Sequence, residues 1–478
     1  MNRYQQRNRK QELFVNIERR NIMYVVSKYV KEPKVSLIDI FLNRANYEAV
    51  TFNRTYEYNH LPKELSNEEN ITQYQNMLKV WFNKYGSLMS KINTKEYNYE
   101  LQVELQSKFK KDMKNNGFNG SKESLDLLVR EEVEKELNNR GLKYCELYNT
   151  FFIPKKKKKN GYIKWRRIDA PTPMFKQALK ELSDIFDKLM EGRSNHTAAY
   201  AYVKGRSIKD AEEKHQKHGS RWYLKLDLKD FFGSTTPKFV YGMFSQIYPF
   251  CEIVKNPEGD SLLKKCLSLC FLDGKLPQGT PISPIITNIM MIPIDHKIQN
   301  GLTYKYNAVD KYGTRRKLVY TRYADDMVIS CRTDFKSIKK DGVKYSPVQD
   351  EEGNAIDVEK WINKVFEKFN APFKINGDKT RYTSINGSNW HLGLLINQDL
   401  EISLGHNARD VLSATLWNFA NRILRNEEVP VLEAQQILGR LNYHYNIEKD
   451  KTENIVRKLS IKTNIDILYV LKCCTKQQ

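Results

Sequence analysis

The chain has 478 residues, 40% of them hydrophobic, and it carries 79 Lys and Arg against 57 Asp and Glu residues, for a formal charge of +22. This length can build roughly two to four compact units, and the positive excess, together with the many Tyr and Phe residues, favours nucleic acid as a partner. An odd number of cysteines, a polar N-terminal segment and the lack of any long uncharged apolar run argue against a disulfide framework, export and membrane insertion, so we expect a cytoplasmic protein.

Residues 1–140 are predicted to form a mostly helical extension that ends near Gly141. The stretches ITQYQNMLKVWFNKYGSLMSKI and SKESLDLLVREEVEKELNNRG place apolar residues at helical spacing. No chemical motif is recognisable in them. Such an extension could hold RNA, pack against another copy or a partner protein, or close a site, and the sequence leaves these roles open.

From Tyr144 the chain changes to short strands and turns. FFIPKKKKKNGYIKWRRIDAP has two strand-like runs around a lysine-rich turn that closes at Asn160-Gly161, which predicts a basic β-hairpin. Its candidate nucleic-acid ligands are Lys155, Lys156, Lys157, Lys158 and Lys159. For such a run taken alone, a solvated loop is the commoner outcome.

Further along, RWYLKLDLKDFFGS has the alternation of a strand. It places Trp222, Leu224 and Leu226 on one side and Tyr223, Lys225 and Asp227 on the other. We expect the first side to face the core and the second to carry charge toward a site.

The stretch YTRYADDMVIS reads as two strands, residues 318–323 and 327–331, joined by Ala-Asp-Asp. Adjacent carboxylates at Asp325 and Asp326 repel each other unless a cation neutralises them, and Mg²⁺ prefers such oxygen ligands. Asp227, at the end of the preceding predicted strand, is the candidate third carboxylate of a two-metal site. An isolated Asp-Asp pair is more often a solvated surface turn.

The rest of the chain is predicted to be mostly helical. Residues 338–359 are polar and rich in turn residues, which predicts an exposed insertion before the amphipathic helix VEKWINKVFEKF. Beyond WHLGLLIN, helical spacing runs through DVLSATLWNFANRILR, PVLEAQQILGRLNYHY and TENIVRKLSIKTNIDILYVLK. These segments predict a small helical subdomain.

The order of these motifs resembles that of the bacterial reverse transcriptases. LDLKDFF resembles their first catalytic motif, LPQGTPISPIITN the second and YADD the third, and the likeness continues through FKINGDKT and HLGLLIN over roughly residues 144–478. The resemblance implies an α+β protein with the right-hand polymerase fold. Fingers and a palm with an antiparallel sheet would span residues 141–400 and a helical thumb residues 401–478, after the extension of residues 1–140.

The resemblance also implies a site. Asp227, Asp325 and Asp326 would be catalytic and would bind two Mg²⁺ ions, with Mn²⁺ as a possible substitute, that clamp the attacking 3′-hydroxyl and the departing pyrophosphate. The implied nucleotide-binding residues are Arg166, Phe232, Gln278, Gly279 and Lys379, with Arg167 as an alternative to Arg166. The implied nucleic-acid-binding residues are Arg206, Pro281 and Ser283.

Two departures bear on the subgroup. AYAYVKGRSIKDAEEKH resembles retron GRS sequences, but the retron NA stands here as Ala211-Glu212, and the retron VTG stands as His391-Leu392-Gly393. Both departures count against a true retron. The helical extension favours instead the defence-associated and abortive-infection reverse transcriptases.

The resemblance therefore implies an enzyme that uses dNTPs to copy a structured non-coding RNA into DNA in anti-phage defence. Two other functions stay open at this point. The same site could make DNA without a template or from a protein primer, and the chain could be a non-catalytic RNA-binding scaffold on a polymerase fold.

Overall fold

A computed structural model of the chain describes residues 68–91, 96–154, 165–190, 193–340, 343–387 and 391–475. The predicted lysine ligands Lys155–Lys159 lie outside the described residues, as do residues 1–67 of the predicted extension. The described residues belong to one compact unit. In the part of the chain that is described, no helix combines the length and the apolar character needed to cross a membrane.

Helices and strands follow one another along the chain as in an α+β protein, which confirms the predicted class. The helices are α1 Glu68–Tyr85, α2 Tyr99–Asn115, α3 Lys122–Asn139, α4 Pro173–Leu189, α5 Ile208–Lys217, α6 Phe231–Ser234, α7 Pro237–Phe244, α8 Phe250–Ile253, α9 Pro257–Ser268, α10 Ser283–Asn300, α11 Val358–Lys368, α12 Gly405–Leu424, α13 Val431–Ile447, α14 Lys449–Thr463 and α15 Ile467–Cys474. The strands are β1 Tyr148–Pro154, β2 Trp165–Pro171, β3 Trp222–Asp227, β4 Asn307–Val309, β5 Arg315–Lys317, β6 Val319–Tyr323, β7 Asp326–Cys331, β8 Ile338–Lys340, β9 Val343–Tyr345, β10 Val348–Gln349, β11 Arg381–Ser384, β12 Leu395–Ile396 and β13 Ile402–Ser403.

The described part of the N-terminal extension is helical, as its spacing predicts. α2 and α3 pack through an apolar seam that includes Leu105, Val129 and Val133, and side chains that prefer helix starts cap both of them, Asn98 and Ser121. α1 buries Trp81, whose Nε1 donates to the backbone oxygen of Ala178 in α4 at 2.9 Å. The extension is therefore packed onto the following region, and the domain boundaries near residues 140 and 400 stay predictions.

The central sheet is antiparallel and has the strand order β11-β3-β7-β6. Its register places Asp227 at the end of β3 directly opposite Asp326 at the start of β7. Helix α10 covers one face, where the Tyr320 hydroxyl donates to Asp295 at 2.8 Å. The opposite face carries α5, whose His215 hydrogen-bonds Ser330. The two faces of the sheet are thus packed by different helices.

The predicted insertion at residues 338–359 is more ordered than expected. β8 pairs with β9, and β10 pairs with β4, where Val348 is fully buried. The prediction of an exposed, turn-rich segment is therefore wrong for β10. The sequence pattern did not indicate this strand, because β10 is short, lies in a polar stretch and supplies a single core side chain.

The C-terminal segment is helical, as its spacing predicts, and a separate subdomain stays a prediction for helices α12–α15. Their shared core includes Leu412, Leu416, Leu441 and Leu471, all of them fully buried. The hairpin β12–β13 connects this part to the central sheet, because its apolar side chains share a core cluster with Tyr223 of β3 and Val328 of β7. The same cluster contains Ile447 of α13.

Candidate active site

The ends of β3 and β7 bring the predicted acidic residues to one edge of the sheet. Asp227 faces Asp326 across the register, and Asp325 precedes it in the turn, where its backbone oxygen accepts from Leu228 N at 3.0 Å. Ala324 adopts a left-handed backbone with φ of 57°, which makes the tight connection possible. The backbones of the three predicted aspartates therefore meet at one edge of the sheet, although nearly one hundred residues separate Asp227 from the pair.

The electrostatics of this edge are those of crowded acids. Burial raises the pKa of Asp325, and the Asp227 charge raises it further. The pKa of Asp326 is raised to about 6, first by burial and then by the charge of Asp325, while His391 opposes the shift. Ionising all of these carboxylates together costs free energy in the protein alone.

A positive side chain already contacts one of them. Lys379 Nζ donates to Asp227 Oδ1 at 2.6 Å, and Asn376 Nδ2 donates to Asp227 Oδ2 at 3.1 Å. Among the described residues, no group of three His, Cys, Asp or Glu side chains stands close enough together to hold a metal ion. The donor set still suits Mg²⁺, because it consists of carboxylate oxygens whose mutual repulsion a hard cation would relieve.

A buried ion pair supports the turn that carries Asp325 and Asp326. Arg322 and Asp295 are both fully buried, and Arg322 Nη2 meets Asp295 Oδ2 at 2.8 Å. Nη1 of Arg322 donates to the backbone oxygen of Ala324 at 3.2 Å. The guanidinium therefore ties the left-handed turn residue to helix α10.

The predicted arginines on β2 differ in their surroundings, because alternate residues of a strand point to opposite faces. Arg167 is tied down, since its Nε donates to Asp169 Oδ1 at 2.8 Å and its guanidinium lies 5.3 Å from the centre of the Tyr99 ring. Arg166 is exposed, and its charge partly opposes the rise that burial causes in the pKa of Asp325. Both arginines line the same cavity, and the role of either as a nucleotide ligand stays a prediction.

The turn at Gln278 and Gly279 lies directly against β2. Asp169 N donates to the Gln278 backbone oxygen at 2.9 Å. Gly279 has φ of 112°, and a Cβ there would lie 2.8 Å from Cγ2 of Ile168. Glycine is therefore required both by the backbone conformation and by the close approach to the strand.

Two predicted nucleic-acid ligands have structural contacts. Arg206 Nη1 donates to the backbone oxygen of Ala199 at 2.6 Å, and the Ser283 hydroxyl, in a residue only 1% exposed, donates to the backbone oxygen of Pro277 at 2.7 Å. Both contacts explain these residues without a ligand. Their role as nucleic-acid ligands, like that of the half-buried Pro281, stays a prediction.

A cavity of about 270 Å³ lies between β2 and the Gln278 turn. Its lining includes the predicted Arg166, Arg167 and Gln278 and also residues that the sequence did not suggest, Glu100, Asp230 and Lys275. Phe232 lies in α6 beside this cavity and is half-buried. Its neighbour Phe231 is buried against Phe373, with the ring centres 5.0 Å apart. Phe231 is the core aromatic and Phe232 the accessible one.

Comparison with known proteins decides the family. The sequence model described as "Reverse transcriptase (RNA-dependent DNA polymerase)" matches residues 153–385. The retron Ec73 reverse transcriptase of Escherichia coli is 32% identical over 250 residues, which cover 52% of this chain and 69% of that protein. The chain belongs to the reverse transcriptase family. This reverse transcriptase is an RNA-directed DNA polymerase, and the predicted right-hand polymerase fold follows from its membership.

Two further relatives are also retron enzymes. The retron Ec83 reverse transcriptase of Escherichia coli is 26% identical over 325 residues, covering 66% of this chain and 88% of that protein. The retron Mx162 reverse transcriptase of Myxococcus xanthus is 30% identical over 256 residues, covering 49% and 47%. The prediction of a bacterial reverse transcriptase is confirmed, and the chain is retron-like despite its two motif departures.

Those two departures contact each other in the reverse transcriptase. Nδ1 of His391 hydrogen-bonds Oε1 of Glu212, and both side chains are buried. Within the described residues, Nε2 of His391 is buried without a hydrogen-bond partner. The charges of both side chains influence residues on the catalytic strands. His391 opposes the rise in the pKa of Asp326. Burial lowers the pKa of Lys225 to about 8, and the charge of Glu212 opposes that decrease.

The Glu212→Ala variant is expected to be less stable than the parent reverse transcriptase by about 1–3 kcal/mol, because it leaves both ring nitrogens of His391 buried without partners. The double variant Glu212→Ala/His391→Val removes both polar groups and should recover most of this loss. Urea unfolding of both single variants and the double variant measures the coupling. If the stability losses of the two single variants simply add up in the double variant, the contact between Glu212 and His391 contributes no coupling energy to stability.

Proposed function

We propose that this reverse transcriptase copies a structured non-coding RNA into DNA in bacterial anti-phage defence, with Asp227, Asp325 and Asp326 as its catalytic, metal-binding residues. The observation that carries the proposal is the register that sets Asp227 opposite Asp326, with Asp325 beside them in the turn. Carboxylates at the ends of adjacent strands are suited to share cations with phosphate oxygens.

The three aspartates would hold two Mg²⁺ ions, or Mn²⁺ in their place, which supply charge neutralisation at the attacking and leaving oxygens of phosphoryl transfer. The chain's own residues do the rest. Arg166 binds the triphosphate with its guanidinium fork, and Gln278 and Gly279 bring backbone close to the incoming dNTP. Phe232 meets the sugar and disfavours a 2′-hydroxyl.

Lys379 has a second role in this scheme. It donates to Asp227 in the protein alone, and release of that contact frees its ammonium group to protonate or screen the departing pyrophosphate. Asn376 keeps the Asp227 carboxylate oriented meanwhile.

The choice of template and the biological role rest on further features. The charge of +22 suits a bound polyanion, and Arg206, Pro281, Ser283 and the lysines at 155–159 are its proposed ligands. The match to the RNA-dependent DNA polymerase family supports an RNA template, and a structured RNA that stays with the enzyme is part of the proposal. The helical extension supports the defence-associated assignment. A second copy of the chain or a partner protein is proposed to bind this extension.

The test is DNA synthesis by protein purified from its host with the RNA that accompanies it. With Mg²⁺ and dNTPs the parent protein is expected to make DNA complementary to that RNA, and the Asp325→Ala/Asp326→Ala variant is expected to make none. Asp399→Ala, which removes an exposed carboxylate elsewhere, is the matched control and should retain full synthesis. Equal product from the parent and the double variant would refute the polymerase assignment at this site.

The product also separates the alternatives. DNA that stays covalently attached to protein would indicate a protein primer, and DNA with no complement in the bound RNA would indicate synthesis without a template. Normal defence against phage by the double variant would indicate the non-catalytic scaffold.

A further inference from the structure

Helix α2 of the N-terminal extension begins at the wall of the cavity that is lined by three nucleotide-binding candidates, Arg166, Arg167 and Gln278. Glu100, in its first turn, lines this cavity together with Arg166 and Gln278. The preceding residue, Tyr99, is buried and places its ring against the guanidinium of Arg167. A segment without any recognisable motif therefore supplies two side chains to the surroundings of the proposed dNTP site.

Tyr99 is connected to the Gln278 turn through a chain of hydrogen bonds. Its hydroxyl lies 2.6 Å from Oγ1 of Thr150 on β1, and that Oγ1 donates to Asp169 Oδ1 at 2.7 Å. Asp169 accepts from Arg167 through its side chain and donates from its backbone to Gln278. Movement of the Tyr99 hydroxyl would thus shift hydrogen-bonded groups on both sides of the cavity, in β2 and in the Gln278 turn.

The start of α2 is also fixed in place. Gln102 is 1% exposed and makes paired hydrogen bonds with the backbone of Cys145, donating to its oxygen at 3.2 Å and accepting from its nitrogen at 2.8 Å. Such a two-sided bond to a buried backbone holds the first turn of α2 against the chain that leads into β1. The backbone of Tyr99 and Glu100 is therefore fixed beside the cavity, although the Glu100 side chain itself is 59% exposed.

Glu100 pairs with a cation of the cavity. Lys275 Nζ lies 3.0 Å from Glu100 Oε1, and the hydrogen bond from Lys275 lowers the pKa of Glu100. The carboxylate thus remains ionised at neutral pH. It stands beside a site whose proposed ligand, a nucleoside triphosphate, is itself strongly negative, so it both occupies Lys275 and repels the ligand.

We propose that the start of helix α2 is a working part of the dNTP pocket, in which Tyr99 positions β2 and the Gln278 turn and Glu100 restrains the pocket's affinity for the triphosphate by pairing with Lys275. Lys275 is then a further triphosphate-binding residue. This inference rests on the proposed function, in which Arg166 and Gln278 of the cavity lining bind the incoming dNTP, and it gives the extension a role in nucleotide affinity.

The Glu100→Gln variant is expected to lower the KM for dTTP by about two- to fivefold, since it frees Lys275 and removes a repelling charge at a solvated position. Lys275→Met is expected to raise that KM by a similar factor. Glu104→Gln makes the same charge change one turn further along α2, at an exposed residue outside the cavity lining. It is the matched control and should leave the KM unchanged.

The Tyr99→Phe variant keeps the buried ring and removes only the hydroxyl that bonds Thr150. It is expected to raise the KM for dTTP by about two- to tenfold, the range of a single hydrogen bond, and to leave the affinity for the template and primer unchanged. A general loss of folding would instead weaken both, so the ratio of the two measurements distinguishes positioning from damage.

The experiment uses the full chain with poly(rA) and oligo(dT), steady-state dTTP incorporation, and equilibrium dialysis of labelled dTTP in Mg²⁺. A lower KM and tighter dTTP binding for Glu100→Gln, with no change for Glu104→Gln, support the inference. It is overturned if Glu100→Gln and Tyr99→Phe both match the parent, or if Glu100→Gln weakens binding. Absence of incorporation by the parent would count against the proposed function, while dialysis would still decide the inference.

Discussion

The Asp326→Asn variant is expected to lose DNA synthesis and yet to be more stable than the parent protein in metal-free buffer at neutral pH. Both expectations have the same cause. Asp326 lies at the start of β7 opposite Asp227 and directly after Asp325, and its pKa is raised from 3.8 to about 6 by burial and by the Asp325 charge. The ionised carboxylate of Asp326 therefore lowers the stability of the folded protein unless a cation is bound beside it.

The sign of the pH dependence follows from the raised pKa. A carboxyl group whose pKa is higher in the folded state destabilises the fold where it is ionised in both states, so the cost is full above about pH 6. It fades as the pH falls from about 6 to about 4, because the folded protein takes up the proton first. The Asp326→Asn variant should gain on the order of 1–3 kcal/mol in free energy of unfolding at neutral pH, and this gain should disappear in acid.

Thermal unfolding in EDTA at about pH 7.5 and about pH 4.5 measures this difference. Asp399→Asn, at an exposed site, is the matched control and should show no gain at either pH. Added Mg²⁺ should stabilise the parent more than the Asp326→Asn variant, because binding to the folded state alone raises its stability. A variant that is less stable than the parent in EDTA at neutral pH would mean that Asp326 is not held in a repulsive cluster.

The parts of the site that follow local rules could be predicted from sequence. The period of two in RWYLKLD places Asp227 at a strand end, and the apolar runs around Ala-Asp-Asp define a hairpin. The order of the motifs then predicts that β3 and β7 are neighbours, and their register places Asp227 opposite Asp326. Strand alternation also predicts that Arg166 and Arg167 point to opposite faces, but the contact of Arg167 with Asp169 is known only from the structure.

Contacts between distant segments could not be predicted in this way. Lys379 reaches Asp227 across 152 residues of sequence, and His391 reaches Glu212 across 179. Neither spacing has a period, and in each case the partners lie on different elements that only tertiary packing brings together. The departures at Glu212 and His391 are visible in the sequence separately, but their pairing requires the fold.

The extension shows the same limit more strongly. The prediction of a mostly helical extension includes the region of α2 without giving its bounds or its buried face. It does not indicate that Glu100 meets Lys275, because charged residues in the first turn of a helix are ordinarily explained by the helix dipole. Only the position of α2 beside the nucleotide-binding candidates gives that carboxylate a possible function.

The Arg322→Met variant is expected to lose about 3–5 kcal/mol of stability, because it leaves the carboxylate of Asp295 buried without its partner. Both side chains are fully buried, and Arg322 meets Asp295 through two nitrogens, Nε at 2.9 Å and Nη2 at 2.8 Å. Tyr320 also donates to this carboxylate, but one neutral donor does not replace a bidentate cation. The denaturant midpoint of the purified chain measures the loss.

The double variant Arg322→Met/Asp295→Leu separates charge from packing. Removing both members of a buried ion pair is often close to neutral, so the double variant should regain most of the lost stability. Its DNA synthesis should nevertheless remain reduced, because Nη1 of Arg322 no longer bonds the backbone oxygen of Ala324 and the turn that carries Asp325 is less firmly held. If the double variant is as unstable as Arg322→Met, the loss comes from side-chain volume and not from an uncompensated charge. If it regains both stability and full activity, Arg322 contributes to the fold without positioning the catalytic turn.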